Sequence, residues 1–443
     1  MFDVAVIGGG VVGCAVARRF ALGGARTVLL EKGADILSGA SKGNSAILHT
    51  GFDAPPDSLE LRCMQAGYAE YLRIRDSLRL PLLETGAIVA AWSEEEAARL
   101  PAILAQAVQN GVTDTRLLTR AEILEREPNL AETVQAGVLV PGEHLIDPWT
   151  APLAYALQAI ANGAEVRRNC ELLIGAFDGA WALHTSAGNI SAKTVINAAG
   201  LFGDVVSERL GAAPDFTIKP RKGQFVVFDK PASRLLHSIL LPVPSERTKG
   251  IVLTRTVFGN LLVGPTAEEQ ESRTSAATGT ATLHTLIATA ESRLPGLKGM
   301  GVNAAYAGIR PATEQKHYRV SQDAARNLIT LGGIRSTGLT AALGLAQHAW
   351  ALYGGAPDEP ETPALPANIP QLAEHGPRDW QAPGYGEIIC HCEMVTRREI
   401  EAALTGPLAA HDSAALKRRT RAGMGRCQGF TCTHKLTELL TNA

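Results

Sequence analysis

No apolar run in the sequence approaches the roughly 20 residues needed to span a bilayer as a helix, which excludes a membrane-spanning helix and leaves at most peripheral contact with a membrane. Charge of one sign is missing too. The 42 Lys and Arg stand against 44 Asp and Glu, a formal net charge of −2, which argues against a nucleic-acid binder that works through bulk charge. Cysteine is sparse and odd in number, 7 in 443 residues, so a disulfide framework is not expected in a chain of this size. Internal repeats and low-complexity tracts are absent. The first strand-like run opens at Asp3, so no signal or transit peptide is expected, and the expected location is the cytoplasm.

Glycine is abundant, with 44 residues, and 46% hydrophobic against 19% charged residues fits a Gly-rich α/β enzyme. The opening Asp3-Val-Ala-Val-Ile-Gly-Gly-Gly-Val-Val-Gly13 predicts a buried strand, a glycine turn and a helix, with a second strand over Thr27–Glu31. Gly8, Gly10 and Gly13 form G-x-G-x-x-G between strand and helix, and Glu31 closes the next strand at about 20 residues' distance. Small residues let the backbone approach a pyrophosphate, the helix N-terminus offers N–H groups, and the carboxylate accepts from ribose hydroxyls. Further βα junctions are predicted at 193–200 and 328–333, helices over 66–80, 94–110 and 153–162, and strands over 86–92, 224–228, 250–254 and 260–264.

The segment Ser41-Lys-Gly-Asn-Ser-Ala-Ile-Leu-His-Thr-Gly-Phe52 resembles the flavin-contacting segment of the D-amino-acid-oxidase superfamily, closest to its glycerol-3-phosphate dehydrogenase and L-2-hydroxyglutarate oxidase branches. The resemblance implies non-covalent FAD, contacted by Ser41, Asn44 and Ser45, with His49 near the isoalloxazine. Thr194–Gly200, ending in Ala199 and Gly200, is similar to the superfamily's second nucleotide-side motif. Gly332–Thr340, with Gly333, Gly338, Leu339 and Thr340, is similar to its C-terminal flavin motif, where a helix N-terminus would stabilise charge on the reduced ring.

Oxidising a carbinol requires a base for the hydroxyl proton and an anchor that fixes the carbon. The resemblance puts His49 in the first role, although histidine serves as often in packing. Arg310 matches the arginine these families use to grip a carboxylate or phosphate, for which a bidentate guanidinium suits, the alternative being a surface salt bridge. Arg335 departs from the glycerol-3-phosphate enzymes, which carry a lysine-containing turn there, and a second cation would favour an anionic substrate. The histidine that 2-hydroxyglutarate oxidases place near Val252 is absent. Lys222 is either a further site cation or a solvated lysine.

Cys14, Cys63 and Cys170 lie singly and suit small buried hydrophobes. Cys390, Cys392, Cys427 and Cys432 crowd the C-terminal part of the chain, and two short loops of paired thiolates suit zinc or an iron–sulfur cluster alike. The segments Ile389–Met394 and Arg421–Cys432 resemble the bacterioferritin-associated-ferredoxin type of [2Fe–2S] domain, which selects the cluster and leaves His391 a neighbour. The basic run Lys417-Arg-Arg-Thr-Arg421 is expected to offset cluster charge, to dock an acidic acceptor, or to be a solvated helix face.

The expected fold is α/β: a Rossmann-like FAD-binding domain over 1–80, 145–215 and 300–353, an inserted antiparallel-sheet substrate domain over 81–144 and 216–299, a proline-rich linker over 354–384, and a small helical [2Fe–2S] module over 385–443. The expected function is an FAD-dependent dehydrogenase of a small anionic hydroxy compound, of the glycerol 3-phosphate or 2-hydroxy acid type. Electrons would leave through the cluster to an acceptor protein, a second subunit or a quinone-linked acceptor. An opine or imino-acid oxidase and a non-catalytic electron-transfer subunit are the alternatives.

Overall fold

The computed structural model describes residues 1–244, 250–356 and 362–442. Part of the expected linker, 357–361, lies outside the described residues. A parallel sheet runs in the order Glu165–Arg167, Thr27–Leu30, Phe2–Ile7, Gly188–Asn197, Leu328–Gly332. Phe2–Ile7, Thr27–Leu30 and Leu328–Gly332 are mostly apolar because both their faces are covered. Val4, Val6 and Leu29 point to a core shared with helices, while Ala5, Ile7, Val28 and Leu30 point to the opposite core around Trp181. On the first face the helix Val11–Leu22 packs against Thr150–Ala161 and Gly338–Tyr353.

The helix Gly338–Tyr353 also crosses Leu59–Ile74 at a contact only glycine permits. A Cβ on Gly67 would lie 2.1 Å from the Thr340 carbonyl oxygen, and one on Gly344 would lie 2.1 Å from that of Cys63. This crossing fixes where the helix begins.

A second sheet of nine strands includes Ala87–Ala91, Ala136–Val140, Lys219–Phe228, Val252–Arg255, Leu261–Gly264 and Val302–Ala312. Its pairs are antiparallel apart from Ile239–Pro242, which runs parallel to Ala87–Ala91. Residues 302–312, expected on the nucleotide side, belong here, paired along the whole of Lys219–Phe228. The sequence hides this because the strand's buried residues face a partner 80 or so positions away. A small third sheet joins Ile47–Leu48, His144–Ile146 and Leu82–Glu84.

Near the C-terminus a hairpin, Ile388–Cys390 with Val395–Thr396, carries the helices Arg397–Ala403, Ser413–Thr420 and Thr433–Thr441 around a core of its own. The segment before it is no free spacer: Leu372 and Ala373 are buried among Val257 and Phe258 of the second sheet's core. Among the described residues no helix is long and apolar enough to cross a membrane.

Candidate functional site

Where the parallel sheet meets the second sheet, a cavity of about 1160 Å³ opens, lined from the nucleotide side by Gly8, Gly10, Glu31, Ser41, Ala199 and Gly200. Asn44, Ser45, His49, Arg310, Arg335, Gly338 and Leu339 line it farther in. Three expected contact residues stand behind the wall instead. Gly13 supports the glycine turn, since a Cβ there would sit 1.8 Å from the Gly8 carbonyl oxygen. Gly333 takes a positive φ of 66° beneath Arg319. Thr340 bonds the chain rather than facing the cavity, its hydroxyl oxygen accepting from the His49 N–H at 3.0 Å.

The nucleotide end fits a dinucleotide. The helix Val11–Leu22 begins at the cavity wall, where a helix N-terminus favours an anion, and its first N–H, that of Val11, donates to Ser41 Oγ at 3.0 Å. Glu31, its carboxyl raised by burial, accepts from the Gly9 and Gly33 N–H groups at 2.7 Å each. That carboxylate therefore holds the glycine loop in shape as well as facing the cavity. At the far end the helix Gly338–Tyr353 starts against the same space, a second positive dipole end.

His49 has a partner that sequence reasoning missed. The pairing of Leu48 with His144 in the third sheet sets His49 beside Glu143. The fully buried Glu143 carboxylate lies 2.7 Å from His49 Nδ1 and accepts from the Thr50 N–H at 2.6 Å and the Thr50 hydroxyl at 2.8 Å. A proton on Nδ1 directed at Glu143 leaves Nε2 as the ring atom carrying a lone pair. No local signal could have found this, because Glu143 is 94 residues from its partner.

The same cavity is lined by three arginines, Arg221, Arg310 and Arg335. Arg310 faces Arg221 directly across the strand pair, and Arg335 approaches from the loop before the helix Gly338–Tyr353. Burial, then Arg221 and Arg335, lower the Arg310 guanidinium to about 10, so it stays charged at neutral pH. Burial also lowers Arg335. Neither is paired with a carboxylate among the described residues, whereas Arg221 meets Glu269 at 3.1 Å. Lys222 is turned away from the cavity by strand alternation and pairs with Glu268 at 3.3 Å. The extra cation expected from this strand is its neighbour Arg221.

Gly223 makes room for Arg310: a Cβ there would lie 2.6 Å from Arg310 Nη2, 2.8 Å from Pro265 Cβ and 3.0 Å from the Thr266 carbonyl oxygen, to which Arg310 donates at 3.2 Å. Gly223→Ala should push the guanidinium out of place, raising KM for an anionic substrate while FAD content stays full. Steady-state kinetics beside a flavin spectrum checks this, and an unchanged KM would mean that Arg310 does not hold substrate.

The four C-terminal cysteines converge in two pairs. Cys432 lies within hydrogen-bonding reach of Cys390, and Cys427 within reach of Cys392. Cys390 and Cys432 are buried, while Cys392 and Cys427 are half-buried. The side chain and backbone of Thr431 hold the Cys427 thiol down at about 6, whereas burial pushes Cys432 up to about 12. The Gly423 N–H points at Cys390 Sγ from 3.5 Å. Four thiols from two loops are the ligand set that a [2Fe–2S] cluster takes, and Cys390, Cys392, Cys427 and Cys432 would hold it. His391 is exposed.

The basic run is not a solvated face. Arg419 clasps the buried Asp35 of the nucleotide-side loop through two bonds of 2.7 and 2.6 Å, and Arg418 adds a third at 2.7 Å. Burial alone would raise the Asp35 carboxyl, but these guanidinium contacts hold it below the usual range. Arg421 donates to the buried Glu393 at 2.9 Å. The run fastens the cysteine module to the rest of the chain.

A dinucleotide cradle, a cavity lined by arginines and a histidine, and four converging thiols together describe a flavoprotein oxidoreductase with an iron–sulfur module. Residues 3–352 match the family model "FAD dependent oxidoreductase", and 388–442 match "BFD-like [2Fe-2S] binding domain". The chain belongs to the FAD-dependent oxidoreductase family, as an enzyme acting on a small substrate and carrying a [2Fe–2S]-binding domain. It is 31% identical to a glycerol 3-phosphate dehydrogenase of Caloramator mitchellensis over 99% of this chain and 94% of that protein. It is 29% identical to an L-2-hydroxyglutarate dehydrogenase of Indibacter alkaliphilus over 60% of this chain and 68% of that one. The dithionite-reduced L-alpha-glycerophosphate oxidase of Mycoplasma pneumoniae, solved with FAD bound, superposes with a TM-score of 0.77 at 25% identity, covering 84% of this chain and 99% of that chain.

Proposed function

We propose that the chain oxidises the secondary hydroxyl of glycerol 3-phosphate and passes the electrons through a [2Fe–2S] cluster to a partner protein or quinone-linked acceptor. The observation that carries the reading is that Arg221, Arg310 and Arg335 line the same cavity as His49, whose ring is held by Glu143. A dianionic phosphate matches such a lining better than a neutral or cationic amine does. The similarity to a glycerol 3-phosphate dehydrogenase across both modules supports the same choice over a 2-hydroxy acid, whose relative spans less of the chain.

FAD would be held by the loop of Gly8 and Gly10, by Glu31, by Ser41, Asn44 and Ser45, and by Ala199, Gly200, Gly338 and Leu339. When bound, FAD supplies the hydride acceptor. Arg310 and Arg335 grip the phosphate and fix the carbinol carbon. His49 takes the hydroxyl proton at Nε2, and Glu143, whose carboxylate bonds His49 and Thr50, orients the ring and stabilises its charged form. Cys390, Cys392, Cys427 and Cys432 hold the cluster.

Anaerobic bleaching of the flavin by a panel of compounds tests the reading. Glycerol 3-phosphate should bleach it, and glycerol, 2-hydroxyglutarate and opine-type secondary amines should not at matched concentration. Bleaching by an amine alone would overturn the hydroxyl assignment, and bleaching by nothing would leave an electron-transfer subunit. Arg310→Ala should raise KM for glycerol 3-phosphate by the equivalent of about 2–5 kcal/mol, as removing one partner of a buried charge-assisted pair does.

A further inference from the structure

We propose that Trp149 and Phe258 form the bridge across which electrons pass between the flavin compartment and the four-cysteine loops. The inference rests on the proposed order of electron flow, from substrate through flavin to cluster. Trp149 stands at the start of the helix Thr150–Ala161, and its indole N–H donates to the Lys42 carbonyl at 3.1 Å. Lys42 belongs to the loop that lines the cavity with Ser41, Asn44 and Ser45. The indole stacks on Phe258, ring centroids 5.3 Å apart and planes inclined by 15°. Phe258 in turn lies under the Arg421 guanidinium, whose carbon is 4.2 Å from the ring centroid. Arg421 bonds Glu393, and Glu393 directly follows Cys392.

The chain of contacts is thus continuous from the cavity loop to a cysteine loop, and its middle is dry. Phe258 is 5% exposed, Arg421 4% and Glu393 1%. Offset stacking and a cation over the ring face are each favourable geometries and keep the groups in van der Waals contact. Trp149 is half-buried and Phe258 buried, and because electronic coupling falls with every gap in packing, a contacting run of π systems carries an electron farther than the purely ionic junction at Asp35. Trp149 and Phe258 come from unrelated parts of the chain and meet only where the flavin fold, the second sheet and the cysteine module join.

The balance is simple. Each turnover breaks one C–H and one O–H bond of the substrate, and the proton from oxygen goes to His49. The hydrogen of the C–H bond leaves as hydride, the carbon–oxygen bond becoming a carbonyl. Its two electrons would cross the Trp149–Phe258 bridge one at a time, the first leaving the cluster before the second arrives, and its proton is released to solvent. The electrons then pass to an acceptor outside the chain, either two one-electron protein carriers or one quinone that takes up two protons.

The test compares Trp149→Leu, Phe258→Leu and the ring-keeping Trp149→Phe and Phe258→Tyr, all loaded with FAD and iron. Flavin bleaching by glycerol 3-phosphate should be unchanged in all four. The reduced-cluster EPR signal that follows should grow about tenfold more slowly in the two leucine variants and near the normal rate in the ring-keeping pair. Dithionite should raise the full signal in each, showing an intact cluster. Tryptophan emission of the flavin-free, iron-free chain reads the stack itself: Phe258→Leu should change the component that Trp149→Phe removes. Cluster reduction at the normal rate in both leucine variants would overturn the bridge. Failure of glycerol 3-phosphate to bleach the flavin would strike the substrate assignment alone, because photoreduction of the flavin in the presence of EDTA starts the same crossing without substrate. Should Trp149→Leu lose flavin, the Phe258→Leu and Phe258→Tyr pair decides.

Discussion

Replacing His49 with alanine should slow anaerobic flavin reduction by roughly 10²–10⁴-fold, the contribution of a positioned general base. The expectation follows from Glu143. A histidine held only by packing needs no buried carboxylate, yet here a fully buried Glu143 spends one oxygen on the ring and the other on two donors of Thr50. Such an arrangement fixes the orientation of the ring and leaves Nε2 able to accept a proton. Glu143→Gln should therefore lower kcat by up to about 10²-fold, part of the effect of the base, with little change in KM because no substrate contact is lost. Stopped-flow absorbance of the flavin measures both. A loss below about threefold in His49→Ala would return His49 to a packing role.

What could be seen in the sequence was what is local. The strand, glycine turn, helix and acid from Asp3 to Glu31 are consecutive, and each residue's task is decided by its neighbours. The structure sets them in that order around the cavity. The four cysteines were legible for the same reason, as two short loops with closely spaced thiols, but their pairing across the loops, Cys390 with Cys432 and Cys392 with Cys427, was not. Glu143 was not, because it reaches His49 through the register of a three-stranded sheet that no periodicity announces. Arg221 and Lys222 differ only in which face of a strand they occupy, and only pairing with Arg310 decides which one meets the cavity. The basic run was misleading in a physical way. Several charges on one short helix usually mean solvent, but Asp35, 384 residues from Arg419, makes them an interior clasp.

That clasp sharpens what should happen when Cys427 is changed to serine. The cluster should be lost, with iron absent and no EPR signal in the reduced state, because three thiolates and a hydroxyl cannot complete a four-sulfur ligand set. FAD should stay bound. The Asp35 contacts with Arg418 and Arg419, and the packing of Phe258 beneath Arg421, hold the module to the flavin fold without using any cysteine. Losing the ligands should therefore loosen the loops around Cys392 and Cys427 rather than release the whole module, and limited proteolysis should cut there and not at Ser413–Thr420. Glycerol 3-phosphate should still bleach the flavin in a single turnover, since Arg310, His49 and the cradle are untouched. Steady delivery of electrons to the acceptor should fall. Metal analysis comes first: one zinc per chain and no iron in anaerobically prepared wild-type protein would overturn the proposed cluster, and full steady turnover in Cys427→Ser would take the cluster off the electron path.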